Sequence, residues 1–331
     1  MEKIDFVIIW VDGNDKEWQE TRKKYDSSFS DDRDIRYRDW ETLKYWFRGV
    51  EKNAKWVNRI HFVTCGHLPK WLNTNHPKLN IVKHEDFIPK EYLPTFSSHV
   101  IELNLHRIKD LTELFVYYND DMFTLKELKE NDFFKNGLPC DSAILSPAIQ
   151  ENKYGIGNIE LNNMAIINTY FSKKRQMKKN WNKWFNYKYE MQHKIKNYLL
   201  MPWNSFTSFY EFHIASSFLK STFEKIWKLE YEELNEVCMH RFRNLKLDVN
   251  QWLMRDWQLA SNQFAPRNTK FGKLYTLDNE SNCSRILKNN KHKIICINDS
   301  EEIDEQNYER LKKELIEEFE KLYPEKSEFE I

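Results

Sequence analysis

Glycine and proline are scarce, 7 and 9 in 331 residues, and the phosphate-cradling loops that need glycine are missing. No G-x-x-x-x-G-K-[ST] loop, no G-x-G-x-x-G fingerprint and no G-x-S-x-G elbow occurs, which argues against P-loop, dinucleotide-binding and serine-hydrolase chemistry. The 5 cysteines, at 65, 140, 238, 283 and 296, are odd in number and form no C-x-x-C pair. Reduced thiols and no structural zinc are therefore expected. No apolar run reaches the ~18 residues that span a bilayer, and Met1 to Asp5 opens a strand where a signal peptide would carry a basic start. The expected location is the cytoplasm. The formal net charge is zero, so no electrostatic bias draws the chain to nucleic acid.

Aromatic residues are abundant, with 12 Trp, 16 Tyr and 22 Phe, as in a large, well-packed core. The most telling stretch is Phe115-Val116-Tyr117-Tyr118 followed at once by Asn119-Asp120-Asp121. The apolar part suits a buried strand, whereas adjacent ionised carboxylates are costly to bury without a cation or donors. The same design recurs twice. Ile4 to Val11 ends in Asp12-Gly13, and Ile294 to Ile297 ends in Asn298-Asp299. In one parallel sheet the three ends could share a rim, where open α/β sheets bind ligands.

Between these strands the chain reads as βαβ units. Residues 15 to 25 and a stretch from about Asp39, with Trp40, Leu43, Trp46 or Phe47 and Val50 on one face, read as helices, and Ser27 to Asp34 as a charged loop. Ile60 to Thr64 and Asn80 to His84 read as strands. Ser97 and Ser98 cap a predicted helix to about Lys109, with His99 and Glu102 in its first turn. Ser142 to Leu145 reads as a further strand, and the hundred residues beyond Gly157 as helical, with His213 inside a helix spanning Phe206 to Trp227. Asp304 to Leu322 is an amphipathic helix in an acid-rich end. The expected fold is α/β, a mostly parallel sheet with flanking helices and a helical insertion before the last strand. The expected division is 1–150 as the metal- and nucleotide-binding core, 151–290 as a helical acceptor-binding portion, and 291–331 as the last core strand and acidic helix.

Carboxylates and amides gathered without cysteine suit a hard cation, Mg²⁺ or Mn²⁺, which shares its shell with substrate phosphates. Arg38, Arg241 and Arg243 add the planar cations that grip phosphate. Nine Lys or Arg against the single acid Glu190 mark residues 173–196, interleaved with Trp and Tyr. Such a stretch is either a solvated helix face or a peripheral contact with anionic membrane.

Four blocks of the chain resemble the Stealth family of sugar-phosphate transferases. They are Ile4 to Gly13; Arg36-Tyr37-Arg38-Asp39 through Leu93 to His99 and on to Asn119-Asp120-Asp121-Met122-Phe123; His213 through Arg241-Phe242-Arg243; and Ile297-Asn298-Asp299. The resemblance implies a fold similar to GT-A-type nucleotide-sugar glycosyltransferases. It also implies a UDP-sugar donor, a polysaccharide or lipid-linked oligosaccharide acceptor, and transfer of hexose 1-phosphate with release of UMP. Asp12, Arg38, His99, Asp120, Asp121, His213, Arg241 and Asp299 match motif positions, while His213-Ile214-Ala215 lacks the proline common in that block. The expected metal ligands are Asp121, Asp299 and Asp120. His99, His213 or Asp12 is the expected base, Arg38 a catalytic cation, and Arg241, Arg243, Asn119, Glu102 and Asp39 the substrate and phosphate contacts. Two rivals stand beside this reading: a metal-dependent glycosyltransferase expelling UDP, and a non-catalytic polysaccharide-binding protein.

Overall fold

The computed structural model describes residues 2–25, 38–150, 153, 155–288 and 291–331. The expected loop from Ser27 to Asp34, and Arg36, lie outside the described residues.

Strand β1 (Ile4–Ile9) is the axis of the molecule, pairing in parallel with β2 (Ile60–Thr64) on one side and β4 (Leu114–Asn119) on the other. Strand β3 (Leu79–Lys83) extends the sheet beyond β2, also in parallel. Alternation decides its two faces, since successive side chains point opposite ways. Phe6 and Ile8 join one core with Val116 and Tyr118, while Val7 joins the other with Phe115 and Tyr117. Asp5 is fully buried within β1 and is satisfied by three donors: Asn58 Nδ2 at 2.6 Å, the Thr112 amide at 3.0 Å and His61 Nε2 at 3.1 Å.

The helices cover both faces. After α1 (Lys16–Tyr25), α2 (Leu43–Asn53) buries Leu43, Trp46, Phe47 and Val50. It starts later than Asp39, because Asp39 accepts the Glu41 amide at 2.8 Å and Glu41 takes a positive φ of 54°. Gly49 lets α2 approach closely, as a Cβ there would meet the Thr124 carbonyl at 2.9 Å. Short α3 (His84–Phe87) follows β3, and α4 (Ser98–Leu103) carries His99. This helix is shorter than expected: at its end Asn104 turns its amide back on the Val100 carbonyl at 2.9 Å.

Strand β5 (Met122–Thr124) leaves the central sheet, with α5 (Glu130–Phe133), β6 (Phe134–Lys135) and β7 (Leu138–Asp141) behind it. The strand thus precedes Ser142, not Ser142 to Leu145, where only an isolated bridge joins Leu145 to Phe209. The next stretch is largely helical: α6 (Ile156–Tyr170), α7 (Lys173–Lys179), α8 (Trp181–Trp184) and α9 (Met191–Leu200). Of the helix expected over Phe206 to Trp227 only the end forms, from Lys220, as part of α10 (Lys220–Leu229). His213 sits in a loop with a φ of 49°, and Ser216–Leu219 forms β8, which closes the central sheet antiparallel to β4. Pairing with an exposed sheet edge outweighs local helix pattern there.

Helices α10 (Lys220–Leu229), α11 (Tyr231–Cys238) and α12 (Trp252–Ala260) then lead through β9 (Ala265–Pro266) to β10 (Gly272–Thr276). After α13 (Cys283–Lys288), β11 (Ile294–Asn298) runs between β10 and β5 in a separate sheet, so the three acid-ended strands do not share one sheet. Helix α14 (Glu305–Leu322) is capped by Asp304, whose Oδ1 accepts the Asn307 amide at 2.8 Å, and it buries Tyr308, Leu311, Leu315 and Phe319. Arg48 of α2 fastens the end of the chain, donating to Glu330 at 2.7 and 2.8 Å and to Glu320 at 3.0 Å. The chain is thus α/β, with a mostly parallel central sheet and flanking helices. No helix among the described residues is long and apolar enough to cross a membrane.

Candidate active site

Strand order β3-β2-β1-β4-β8 reverses direction of growth between β1 and β4. Their carboxyl ends therefore part into a crevice, the usual ligand site of an open α/β sheet. Asp12 follows β1 and Asn119-Asp120-Asp121 end β4. A cleft of about 350 Å³ opens there, its walls including Trp10, Arg38, Asp39, Asp120, Asp121 and Asp299. Asp299 arrives from the other sheet because the Ile297 amide donates to the Asp121 carbonyl at 2.9 Å. This bond continues the antiparallel pairing of β11 with β5, which brings the two acid-bearing strand ends together although β4 and β11 lie in different sheets.

Asp121 is the most informative side chain. Its Oδ2 accepts the Cys296 thiol at 3.1 Å, while its buried Oδ1 has no hydrogen-bond partner among the described residues. A buried, unpaired carboxylate oxygen is expensive and calls for a ligand. Asp121, His213 and Cys296 bring ligand atoms within 4.8 Å of one another. Burial raises the Asp121 pKa, with His213 opposing that rise. Burial and then the Asp121 carboxylate raise the Cys296 thiol well above its ordinary value, so it serves as a donor to Asp121. Asp120 opens on the cleft by surface area, yet the surrounding protein desolvates its carboxyl. That desolvation, with Asp121 beside it, pushes Asp120 up to about 7. Two carboxylates so placed suit a divalent cation, and an oxygen-rich pair favours a hard one.

Asp299 is already engaged. Arg38 Nε lies 2.9 Å from its Oδ2, Arg38 Nη2 donates to its Oδ1 at 3.0 Å, and the Trp40 indole and the Ser300 amide donate at 3.2 and 2.7 Å. The Tyr308 ring lies 4.9 Å beneath the guanidinium. Asp299 reaches a cation only by loosening this pair. Asp39, adjacent to Arg38, has a pKa raised by burial.

Asp12 is occupied locally, its Oδ1 accepting the Asn14 amide at 2.9 Å and its amide donating to His67 Nε2 at 2.7 Å. His213, half-buried beside Asp121, is held through its backbone, whose amide donates to Glu211 at 2.8 Å, and Glu211 is paired with Arg255 at 3.2 Å. His99 is sealed, only 2% exposed. Behind the acids, the Tyr117 hydroxyl lies 2.6 Å from Asn119 Oδ1 and 3.1 Å from Glu102 Oε1. Burial raises the Glu102 pKa, and a proton on Glu102 would let this three-group chain satisfy both acceptors.

Arg241 donates to the Pro94 carbonyl at 2.9 Å and stacks over Tyr25 at 4.7 Å, while Arg243 donates to Ser98 Oγ at 2.6 Å. Both hold the segment from Pro94 to Ser98 that leads into α4, and neither is among the residues that line the cleft. Among the described residues no hydrogen bond or ion pair joins them to Asp120, Asp121 or Asp299. The structure thus collects Arg38, Asp39, Asp120, Asp121 and Asp299 in one cleft and sets His213 beside Asp121, whereas Arg241 and Arg243 bind the Pro94 to Ser98 segment and do not line it. Sequence reasoning missed Cys296, Trp40, Tyr117 and Asp248. Cys296 was legible as the residue three before Asp299 in the last strand; Asp248, between Leu247 and Val249, belongs to no motif and carried no signal.

Comparison with known sequences gives three matched regions: residues 2–30 to Stealth protein CR1, conserved region 1; 36–140 to Stealth protein CR2, conserved region 2; and 284–331 to Stealth protein CR4, conserved region 4. A capsular polysaccharide phosphotransferase WcwK of Streptococcus pneumoniae is 48% identical over 336 residues, covering 100% of this chain and 98% of its own. The receptor polysaccharide phosphotransferase WefC of Streptococcus gordonii is 40% identical, with 100% of both chains covered. The exopolysaccharide phosphotransferase cps2G of Lactiplantibacillus plantarum is 38% identical over 99% of this chain and 96% of its own. Among solved structures, the galactosyltransferase LgtC with donor and acceptor sugar analogues overlays at a TM-score of 0.40 and 11% identity, covering 88% and 86% of the two chains.

Proposed function

The chain belongs to the Stealth family, and from that premise we propose that it transfers hexose 1-phosphate from a UDP-sugar to a hydroxyl of a polysaccharide or lipid-linked oligosaccharide at the inner membrane face, releasing UMP. The observation that carries this reading is the presence, in one cleft, of the Asp121 carboxylate with its Oδ1 unpartnered and of the Arg38 guanidinium held by Asp299. Acids that gather a cation, set opposite a planar cation, are the recognition chemistry of a diphosphate.

Asp121 and Asp120 would hold Mg²⁺ or Mn²⁺, with His213 within reach and Asp299 joining if Arg38 turns to phosphate. Such an ion, when bound, would supply positive charge to neutralise the diphosphate. Arg38 binds the phosphoryl group that is transferred, and the Trp40 indole keeps Asp299 oriented behind it. Arg241 and Arg243 attract and align the remaining negative charge of the donor. His213, whose ring is half-exposed beside the acids, takes the proton from the attacking hydroxyl at one of its ring nitrogens. Trp10 and Trp40 wall the cleft against water. The attack falls on phosphorus, the bond to the UMP oxygen breaks, and the anomeric carbon is untouched.

The test is incubation with a panel of UDP-sugars and a polysaccharide acceptor, reading the released nucleotide by mass spectrometry. UMP is expected. Stoichiometric UDP would instead establish a glycosyltransferase.

A further inference from the structure

Helix α9 has an apolar face that no described residue covers. Met191, Ile195, Tyr198 and Leu199 are 66%, 50%, 66% and 61% exposed, while His193 and Asn197 turn inward. The four exposed positions stand at i, i+4, i+7 and i+8, a single stripe. Trp181, Tyr187 and Trp203, which flank the helix in sequence, are 50%, 84% and 55% exposed. Exposed apolar residues are ordinarily scattered, and a continuous set marks a surface that meets something.

The charge beside it says what. On α7, Lys174, Arg175, Lys178 and Lys179 are all exposed, and among the described residues none has an ion-pair partner. Helix α7 is tied to the end of α9 by Lys173, whose ammonium donates to the Leu200 carbonyl at 2.6 Å. The lone acid of this stretch, Glu190, is directed to Lys270 at 3.5 Å. Not every base is available: Lys183 donates to the carbonyls of Asn262 and Phe264, and Lys188 to that of Pro266. The outward residue is an apolar stripe with indoles and phenols, bordered by four uncompensated positive charges. That is the complement of an anionic lipid surface, with apolar side chains at the acyl boundary, Trp and Tyr at headgroup level and ammonium groups on phosphate.

We propose that α9, with α7 beside it, is a membrane-docking face that seats the enzyme on an anionic bilayer. Its inner side packs toward the catalytic cleft: the His193 ring lies 5.6 Å from Phe212, the residue before His213. Docking would therefore hold the His213 side of the cleft about one helix diameter, roughly 10 Å, from the lipid. This use of the face rests on the reading in which the acceptor is lipid-linked; the docking itself does not.

The experiment is co-sedimentation of the full chain with vesicles of phosphatidylglycerol and phosphatidylcholine, and with phosphatidylcholine alone, across a salt series. Binding is expected only on the anionic vesicles and should weaken as salt rises. At about fivefold per charge, the triple variant K174E, K178E, K179E should lower partitioning by more than about 10²-fold. The pair I195E, L199E should abolish it at every salt concentration. Both variants should keep nucleotide release with a soluble acceptor. Equal binding to neutral and anionic vesicles, or none, overturns the proposal. So does a sedimentation-velocity result in which these substitutions only convert a dimer to monomers. Docking with no nucleotide released from any donor would sink the proposed reaction and leave the docking face standing.

Discussion

Asp248 holds His99 through a 2.9 Å contact between Oδ2 and Nδ1, and with its other oxygen it holds His240 Nδ1 at 2.7 Å. One buried carboxylate thus ties α4, which carries His99 and, at Ser98, the partner of Arg243, to the loop from His240 to Asn244. His99 is enclosed, so its position argues for orienting the segment that Arg241 and Arg243 hold.

Asp248→Asn should therefore raise KM for the donor more than it lowers kcat, because it loosens phosphate contacts and leaves the cleft acids in place. The pH signature is two-sided. Burial opposes ionisation of Asp248, but hydrogen bonds from His240 and His99 hold its pKa below the usual value, while Asp248 raises that of His240. The Asp248 contribution is present above pH ~4 and is lost as pH falls through its lowered folded pKa; the His240 contribution is present below pH ~6.5 and is lost as pH rises through its raised one. Urea midpoints measured from pH 3 to 9 should show both edges in the native chain and neither in Asp248→Asn.

Chelation should abolish turnover, and Mg²⁺ or Mn²⁺ should restore it. Asp121→Asn should lose roughly 10²-fold or more in rate while staying folded, since it keeps an acceptor for Cys296 but loses the charge. The added ion should raise the thermal midpoint of the native chain and not that of Asp121→Asn. Full activity in excess chelator would dismiss the cation.

Arg38→Lys should behave almost as badly as Arg38→Ala. A lysine cannot reproduce the Nη2 bond and the Nε ion-pair contact with Asp299 together, or the stacking on Tyr308, and a point charge grips a phosphoryl group less directionally. Losses of about 10²-fold in kcat/KM are expected for both. Near-complete rescue by lysine would show that charge alone is needed.

Acid should unfold the protein early. Burial pushes His84 down to about 4 and His106 down to about 3. Both therefore fold neutral, and their contribution is complete above pH ~6.5 and declines as pH falls toward those lowered values. His106 packs 6.0 Å from Phe223 and 5.9 Å from Trp227. His106→Phe should flatten the fall in denaturation midpoint between pH 6.5 and 4, measured by fluorescence.

Much of this was legible. Apolar runs such as Ile4 to Ile9 and Leu114 to Tyr118 announce strands, and an abrupt Asn-Asp-Asp after one of them announces a site, because few other arrangements tolerate that juxtaposition. What the pattern could not give is which strands pair. Ser216 to Leu219 looks no more like a strand than a helix until the free edge of β4 is present. Asp299 looks like a sheet neighbour of Asp120 but arrives through the separate β5 and β11 pairing. The Arg38 to Asp299 pair spans 261 positions, and nothing local to either residue signals the other.

The bond from the Ile297 amide to the Asp121 carbonyl also sets a timetable. A ribosome making this chain has finished β1, β2 and β4 long before residue 297 emerges, so the cleft lacks one wall for most of synthesis. Contacts of such sequence separation form late and slowly. Catalytic competence should then appear in a single late step, with truncated or nascent chains able to build the central sheet yet unable to consume donor.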